Sequence, residues 1–388
     1  MPTPPTPKPG LPKSLEVFSS VDDPRRAHPT TLHKLTDIIA LTIMATLGGA
    51  SNWVEIELWA KTQRQWLATL LELPHGIPSH DTISRVYALL DSNQMVQAFT
   101  QWTSELAGHV KGVIALDGKT VRRSMSTADG RGPIHVVNAF AAESHLVLTQ
   151  LKVEDKSNEI AALPKIISML DLEDCVATVD AMGCQVEVAK AVMDQHGDYM
   201  LQIKGNQPSL HDDVEGLFDW ALASALPEDQ RIPWVESESR NEGHGRLERR
   251  QCTGIETLAG IDSLKRWPGA QSVWRVKSAR TAGPNTTIEN RYYLSSLPAS
   301  TAAHAVRANH AIRRHWSVEN EVHWVLDVAM DEDLNRSRVG NSAQNLALVR
   351  KLVLNLLRLE KTSKGGVKAR QKRAGWDRDY LLKVLALG

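Results

Sequence analysis

Apolar positions change their spacing along this chain, and the changes divide it. Between residues 36 and 47 the run Ile38-Ile39-Ala40-Leu41-Thr42-Ile43-Met44-Ala45-Thr46-Leu47 is almost unbroken, which predicts a helix buried on all sides and stopped by Gly48-Gly49. Trp53, Ile56 and Trp59-Ala60 open a second helix that residues 66–71 continue. Ser79 is placed to cap a further, amphipathic helix with Ile83, Val86 and Leu90 on one face and Thr82 and Arg85 on the other. Such a helix could read DNA within a helix-turn-helix, although membership of a bundle is the plainer reading. An all-helical N-terminal domain is expected over residues 21–110, with DNA binding as a candidate role.

After Gly112 the period shortens. Residues 113–116 predict a strand, 134–142 and 146–153 a hairpin about Glu143-Ser144-His145, and 158–170 a helix interrupted by Pro164. Strand, helix and strand follow at 175–179, 186–193 and 199–203. That order predicts an α/β fold with an RNase H-like mixed sheet and helices on its faces. Beyond Pro208 the pattern loosens. Residues 251–253, 272–276 and 291–294 read as separate short strands, so a β-rich insertion is expected over 216–303. Helix resumes at His304 and runs with breaks through Leu357, which puts the core at 111–215 and 304–360. Residues 1–20 read as a disordered proline-rich tail, and 361–388 as a basic tail carrying Lys361, Lys364, Lys368, Arg370, Lys372, Arg373 and Arg378.

The length, 388 residues, favours two or three domains, and the balance of 42% hydrophobic to 23% charged residues is that of a soluble globular chain. Forty-five Lys and Arg against 45 Asp and Glu give no whole-chain signal for nucleic acid, so only local charge can carry one. Cys175, Cys184 and Cys252 lack CxxC spacing, which argues against a disulfide framework and a zinc ribbon and for a reducing compartment. The first nine residues have no apolar core of a signal peptide, and no run reaches the roughly 18 apolar residues of a membrane span. A cytoplasmic protein without a membrane partner is expected.

Three carboxylates change this picture. Asp117 closes the apolar run 113–116, Asp180 closes 175–179, and Glu319 lies in His315-Trp316-Ser317-Val318-Glu319-Asn320. A carboxylate at the end of an apolar strand resists burial unless a partner or metal offsets its desolvation. Each alone could be a cap, a turn former or a solvated helix residue; together they suggest one metal site. Two-metal phosphoryl transfer needs acids from separate elements converging on ions about 3.5–4 Å apart. Oxygen ligands select Mg²⁺ or Mn²⁺ over zinc. Glu319 and Glu321 point about 200° apart on a helix. Trp316, Asn320, His323 and Trp324 group around Glu319, which makes that the expected inward face and Glu321 the solvent-side residue. Glu319, His323 and Asp327 also share a face, read here as satisfied polar residues of a packed helix rather than a metal ladder.

Several stretches carry a family resemblance: Leu116-Asp117-Gly118-Lys119-Thr120-Val121-Arg122, Val179-Asp180-Ala181-Met182-Gly183-Cys184-Gln185, Lys204-Gly205-Asn206-Gln207, and the Glu319 segment with His323-Trp324-Val325-Leu326-Asp327-Val328. His244-Gly245-Arg246 and the segment 75–81 add to it. Over residues 20–360 the chain resembles the ISAs1 family of insertion-sequence transposases, which includes the H-repeat-associated proteins and belongs to the IS4-like DDE superfamily. The resemblance implies a transposase that cuts and joins DNA at element ends, with Asp117, Asp180 and Glu319 as catalytic and metal-binding acids. It implies Mg²⁺, with Mn²⁺ as a substitute; terminal inverted repeats and target DNA as partners; and a homodimer on DNA, in the cytoplasm at the nucleoid. The separations, 63 and 139 positions, leave room for an insertion before the third acid. One departure stands out: a tyrosine, an arginine and a lysine around the glutamate in the wider superfamily correspond to Ile312, His315 and Leu326 here. DNA contacts are expected instead from Lys119, Lys204, Asn206, Arg246, Arg313, Arg314 and His315. The competing readings are a catalytically silent relic that only binds DNA, and a metal-dependent nuclease without strand transfer.

Overall fold

A computed structural model describes residues 13–26, 31–125, 130, 132–153, 159–223, 227–228, 231–243, 246–256, 258 and 260–388. The first helices are α1 (Lys13–Glu16), α2 (Leu35–Leu47), α3 (Trp53–Thr62), α4 (Arg64–Leu70), α5 (His80–Leu89) and α6 (Ser92–Ala107). The apolar run of α2 has no polar face to offer water, and the helix is buried along nearly its whole length. The hydroxyls of Thr42 and Thr46 are satisfied within it, each donating at 2.8 Å to the carbonyl four residues back. Asn52 caps α3 by accepting from the Glu55 amide at 3.0 Å, and Ser79 caps α5 through the Thr82 amide at 3.3 Å.

The sheet runs through β1 (Gly112–Thr120), β2 (His135–Ala141), β3 (Leu146–Val153), β4 (Cys175–Val179), β5 (Asp198–Ile203), β6 (Trp234–Gly243), β7 (Arg246–Ile255), β8 (Ser272–Ala282) and β9 (Asn285–Ser295). Its spatial order is β3-β2-β1-β4-β5-β9-β8-β7-β6. Strands β1, β4 and β5 are parallel neighbours, while β2 and β3 pair antiparallel on the β1 side, which is the RNase H-like arrangement. Side chains alternate across β1: Val113 and Ala115 enter the core under the N-terminal helices, and Ile114 and Leu116 enter the one under α7 (Glu159–Ile167), α8 (Val186–Asp194) and α9 (Pro208–Ala221).

Two expectations change here. The strands after α9 are neither short nor separate: β6 to β9 form a meander of ten- and eleven-residue strands that joins the core sheet where β9 pairs antiparallel with β5. Helix α9 itself stands where the reading found only a loosened pattern; Pro208 begins it, and Leu210, Val214, Phe218 and Ala221 are its buried face.

The chain returns through α10 (Ala302–His315), a π-helical turn (Val318–His323), α11 (Trp324–Met330) and α12 (Ser342–Leu359), and ends in α13 (Val367–Trp376) and α14 (Arg378–Leu385). Helix α12 packs on α2, α5, α6 and β3, so the N-terminal helices share one core with the C-terminal ones. Helix α5 buries Ile83, Val86 and Tyr87 against this bundle. The ends of the chain also differ from the reading. Residues 1–12 lie outside the described residues, but 13–20 are helical, with Leu15 and Phe18 buried. The basic segment folds onto the body of the protein: Ala374, Tyr380, Leu381, Val384 and Leu385 are buried, Arg370 donates to the carbonyls of Leu357 and Ser363, and Lys368 donates to that of Ala329. Among the described residues no helix is long and apolar enough to cross a membrane.

Candidate active site

Parallel pairing of β1 with β4 ends at Leu116 opposite Val179, so the next residues, Asp117 and Asp180, emerge side by side at the end of that ladder. Asp117 is not at its strand's end, because β1 continues to Thr120 against β2 and sets Asp117 opposite Asn138. Burial pushes the Asp117 carboxyl up to about 6; the negative charges of Asp180 and Glu159 add to the shift, and His323 opposes it. Asp180 accepts a hydrogen bond from the Gly183 amide at 3.2 Å.

The triplet Asp117-Gly118-Lys119 performs three tasks. Asp117 presents its acid. A Cβ at position 118 would overlap the side chains of His135 and Glu159, which are bonded to each other at 2.8 Å, so only glycine leaves them room. Lys119 crosses to α11 and pairs with Asp327 at 2.6 Å.

Glu319 and His323 come from the π-helical turn. Nδ1 of His323 lies 2.8 Å from Glu319 Oε2 and 3.5 Å from Asp117 Oδ2, and one ligand atom from each of the three residues falls within 4.8 Å of the others. Asp180 is not in that trio, although its charge reaches Asp117. The bond from His323 holds the Glu319 carboxyl below its ordinary range. The structure thus brings Glu319 to Asp117, but not on an inward face. The Glu319 side chain is 56% exposed against 30% for Glu321, and Trp316 and Trp324 are exposed as well. Glu321, expected on the solvent side, is drawn in by His145 at 2.6 Å and Arg314 at 3.2 Å. Five-residue spacing in the π turn displaces side chains from the regular helical face on which that expectation rested.

The seven residues expected at DNA divide. Lys204 and Arg313 are exposed, the latter 3.1 Å from Asn241 Oδ1. Arg246 opens β7 in register with Gly243, while His244 and Gly245 lie outside the described residues. Asn206 is exposed, yet its amide donates to the Ala181 carbonyl at 2.6 Å and so braces the loop after Asp180. Lys119, Arg314 and His315 turn inward instead. Lys119 is 7% exposed in its ion pair, and Arg314 binds Glu321 and the Ala142 carbonyl. His315 is 3.1 Å from the Thr178 hydroxyl, and burial lowers its pKa to about 4, which leaves it neutral. His323, expected only as a packed residue, and Asn138, which no sequence motif singles out, both stand at the site. The i, i+4 spacing from Glu319 was a signal for the first; no local pattern marks the second.

The family profile described as Transposase DDE domain matches residues 108–356, and one described as DDE_Tnp_1-associated matches 15–103. The chain is 38% identical over 379 residues to YncI of Escherichia coli O157:H7, whose transposase name is provisional, covering 96% of this chain and 95% of that protein. It is 36% identical over 386 residues to YhhI of Escherichia coli K12, provisionally an H repeat-associated transposase, covering 97% and 98%. A piggyBac transposase synaptic complex with hairpin DNA overlaps 96% of this chain and 78% of that one, at 8% identity and a TM-score of 0.43; at that score the strand order, not the overlap, defines the fold. From the profile match across the acid-bearing core and the near full-length relatives, the chain belongs to the DDE transposase family, of the H repeat-associated kind.

Proposed function

We propose that this chain is a DNA transposase that cuts DNA at the ends of its insertion element and joins the cut strands to a target, with Asp117, Asp180 and Glu319 as its catalytic acids. The observation that carries the reading is the emergence of Asp117 and Asp180 from paired parallel strands with Glu319 reaching Asp117 through His323. The acids come from β1, from the end of β4 and from the π turn, and supply from separate elements is what phosphoryl transfer at paired metals requires.

The residues present fit a divalent cation. Asp117 is a half-buried carboxyl whose pKa desolvation raises, and a cation would relieve that penalty. The oxygens of Asp117, Asp180 and Glu319 are hard donors that suit Mg²⁺, with Mn²⁺ as a substitute. Such ions, when bound, supply activation of the attacking oxygen and stabilisation of the leaving one. The protein's own part is orientation. The β1–β4 ladder fixes the two aspartates, Gly118 admits the His135–Glu159 pair beside them, and the Lys119–Asp327 pair ties β1 to the helix that follows Glu319.

The substrate in this reading is duplex DNA carrying terminal inverted repeats, followed by target DNA, handled by a homodimer at the nucleoid. Lys204 and Arg313 are the exposed cations suited to phosphate. A strand-transfer assay on DNA containing the element's ends tests it. Cleaved and joined products requiring Mg²⁺ and all three acids are expected; cleavage without joining identifies a nuclease, and binding without cleavage a silent relic.

A further inference from the structure

We infer that His323 is a metal ligand of this site and that Asn138 selects which ring nitrogen it presents. The inference rests on the reading of Asp117 and Glu319 as ligands and deepens it. The His323 ring is 4% exposed, and its Nδ1 faces Glu319 Oε2 at 2.8 Å and Asp117 Oδ2 at 3.5 Å. An imidazole nitrogen held between two carboxylates needs either a proton or a cation there, since its lone pair alone would repel both.

The opposite nitrogen, Nε2, lies 3.2 Å from Nδ2 of Asn138, which is fully buried and stands in register opposite Asp117. An amide N–H donating to Nε2 requires the ring proton on Nδ1, where it is donated to Glu319. Oδ1 of the same amide is buried without a hydrogen-bond partner among the described residues. A half-turn of the amide, which gives up the 3.4 Å bond from Nδ2 to the Val136 carbonyl, exchanges the two atoms, so that Oδ1 accepts an Nε2–H and the Nδ1 lone pair is directed at the carboxylates. Asparagine serves either tautomer because it carries both a donor and an acceptor. The Nδ1 lone pair is thus available to a cation only with the ring proton on Nε2, where Oδ1 of Asn138 accepts it. Metal-bound histidines are commonly fixed in this way by a hydrogen bond to the other nitrogen. A nitrogen donor among oxygens also shifts the preference of the site toward Mn²⁺.

The test uses the full chain with Mn²⁺ alone and pulsed electron paramagnetic resonance, which reads nitrogen bound directly to the ion independently of activity. Wild type is expected to show ¹⁴N coupling. His323→Gln is expected to bind Mn²⁺ about 10- to 100-fold more weakly and without the coupling. Asn138→Leu is expected to weaken binding about tenfold. Asn138→Asp, acceptor only, is expected to keep the coupling, and it preserves the test should the leucine variant not fold. Mn²⁺ bound in an Asp117-dependent manner without ¹⁴N coupling overturns this inference alone, as does coupling that persists in His323→Gln. Mn²⁺ uptake that Asp117→Asn does not alter, or no uptake, overturns the carboxylate reading with it.

Discussion

Lys119 and Asp327 stand 208 positions apart in sequence and meet at 2.6 Å, which joins β1, two residues beyond Asp117, to α11, four residues beyond His323. Lys119 is 7% exposed, and its ammonium is also 3.9 Å from Glu332, a fully buried acid whose oxygens accept no hydrogen bond among the described residues. One lysine therefore serves two acids. Removing one partner of a buried pair costs about 3–5 kcal/mol because the other is left uncompensated. Because Asp327 is 31% exposed and Glu332 also feels the buried Arg350 and Lys351, Lys119→Met is expected to destabilise by less than that, roughly 2 kcal/mol, and Asp327→Asn by less still, since Lys119 keeps Glu332. Chemical denaturation of the two variants checks the ranking; equal losses would mean that Glu332 does not share the lysine.

Asp117→Asn should separate catalysis from stability. The folded carboxyl titrates near 6 and the unfolded one near 3.8, so between these values the folded chain retains a proton that the unfolded chain has lost. The stability this group contributes is complete below about pH 4 and is lost as pH rises through 6. Without metal at pH 7, the asparagine variant should be more stable than wild type by about 2 kcal/mol, with the difference closing toward pH 4. Its cleavage should be abolished, and binding to element ends nearly intact. Melting curves in chelator across this range, beside a cleavage assay, decide both parts.

Glu319→Gln and Glu321→Gln should fail differently. The first loses a half-exposed acid of the site, so cleavage should disappear while the melting temperature hardly moves. The second breaks the contacts with His145 and Arg314, so the melting temperature should fall by a few degrees, about 1–2 kcal/mol, while cleavage per folded molecule persists. Loss of cleavage confined to Glu321→Gln would reassign the third acid.

Glu57 gives a pH dependence remote from the site. Its carboxylate is held near 2 by Lys61 and then by the backbone and ring of His80, a set of bonds that ties α3 to the first turn of α5. A carboxyl with a lowered folded pKa contributes stability above its unfolded value of 4.5 that is lost as pH falls through 2. Glu57→Gln should cost about 1 kcal/mol at pH 7 and nothing near pH 2. A difference that does not vary with pH would point to packing instead.

Lys204 and Arg313 should act through phosphate. Neutralising either should weaken binding uniformly across sequences and reduce the salt slope by about 1. An unchanged slope, or altered end preference, would remove that residue from the interface.

The RNase H-like order was legible because buried parallel strands are near-continuous apolar runs, and β1 and β4 each break that run with an aspartate. The meander was less legible. Its strands extend into exposed polar residues such as Thr286, Thr287 and Glu289, where the backbone ladder rather than apolar alternation maintains pairing. Helix α9 did carry a readable signal, Pro208 followed by apolar residues four apart, and was passed over beside the loosening pattern. The site divides in the same way. Asp117, Asp180 and Glu319 announce themselves by neighbours in sequence, whereas Asn138 acquires its place from strand register, and the inward turns of Lys119 and His315 depend on partners 208 and 137 positions away. Glu321 turns inward rather than to solvent because the chain makes a π turn there, whose five-residue spacing a regular helical wheel does not describe.

Joining the meander to the core has a mechanical consequence. Since β9 is laddered to β5 and β5 to β4, while Arg313, Asn309 and the Ala305 carbonyl of α10 bond to β6, the meander is held by β5, the neighbour of the strand that leads to Asp180, and by α10, which leads to Glu319. Its strands form a lever arm, not a tethered appendage. This pairing predicts that a load on the meander would pass along hydrogen-bonded backbone toward Asp180 and through α10 toward Glu319, and that shortening the arm would alter its reach without freeing a hinge.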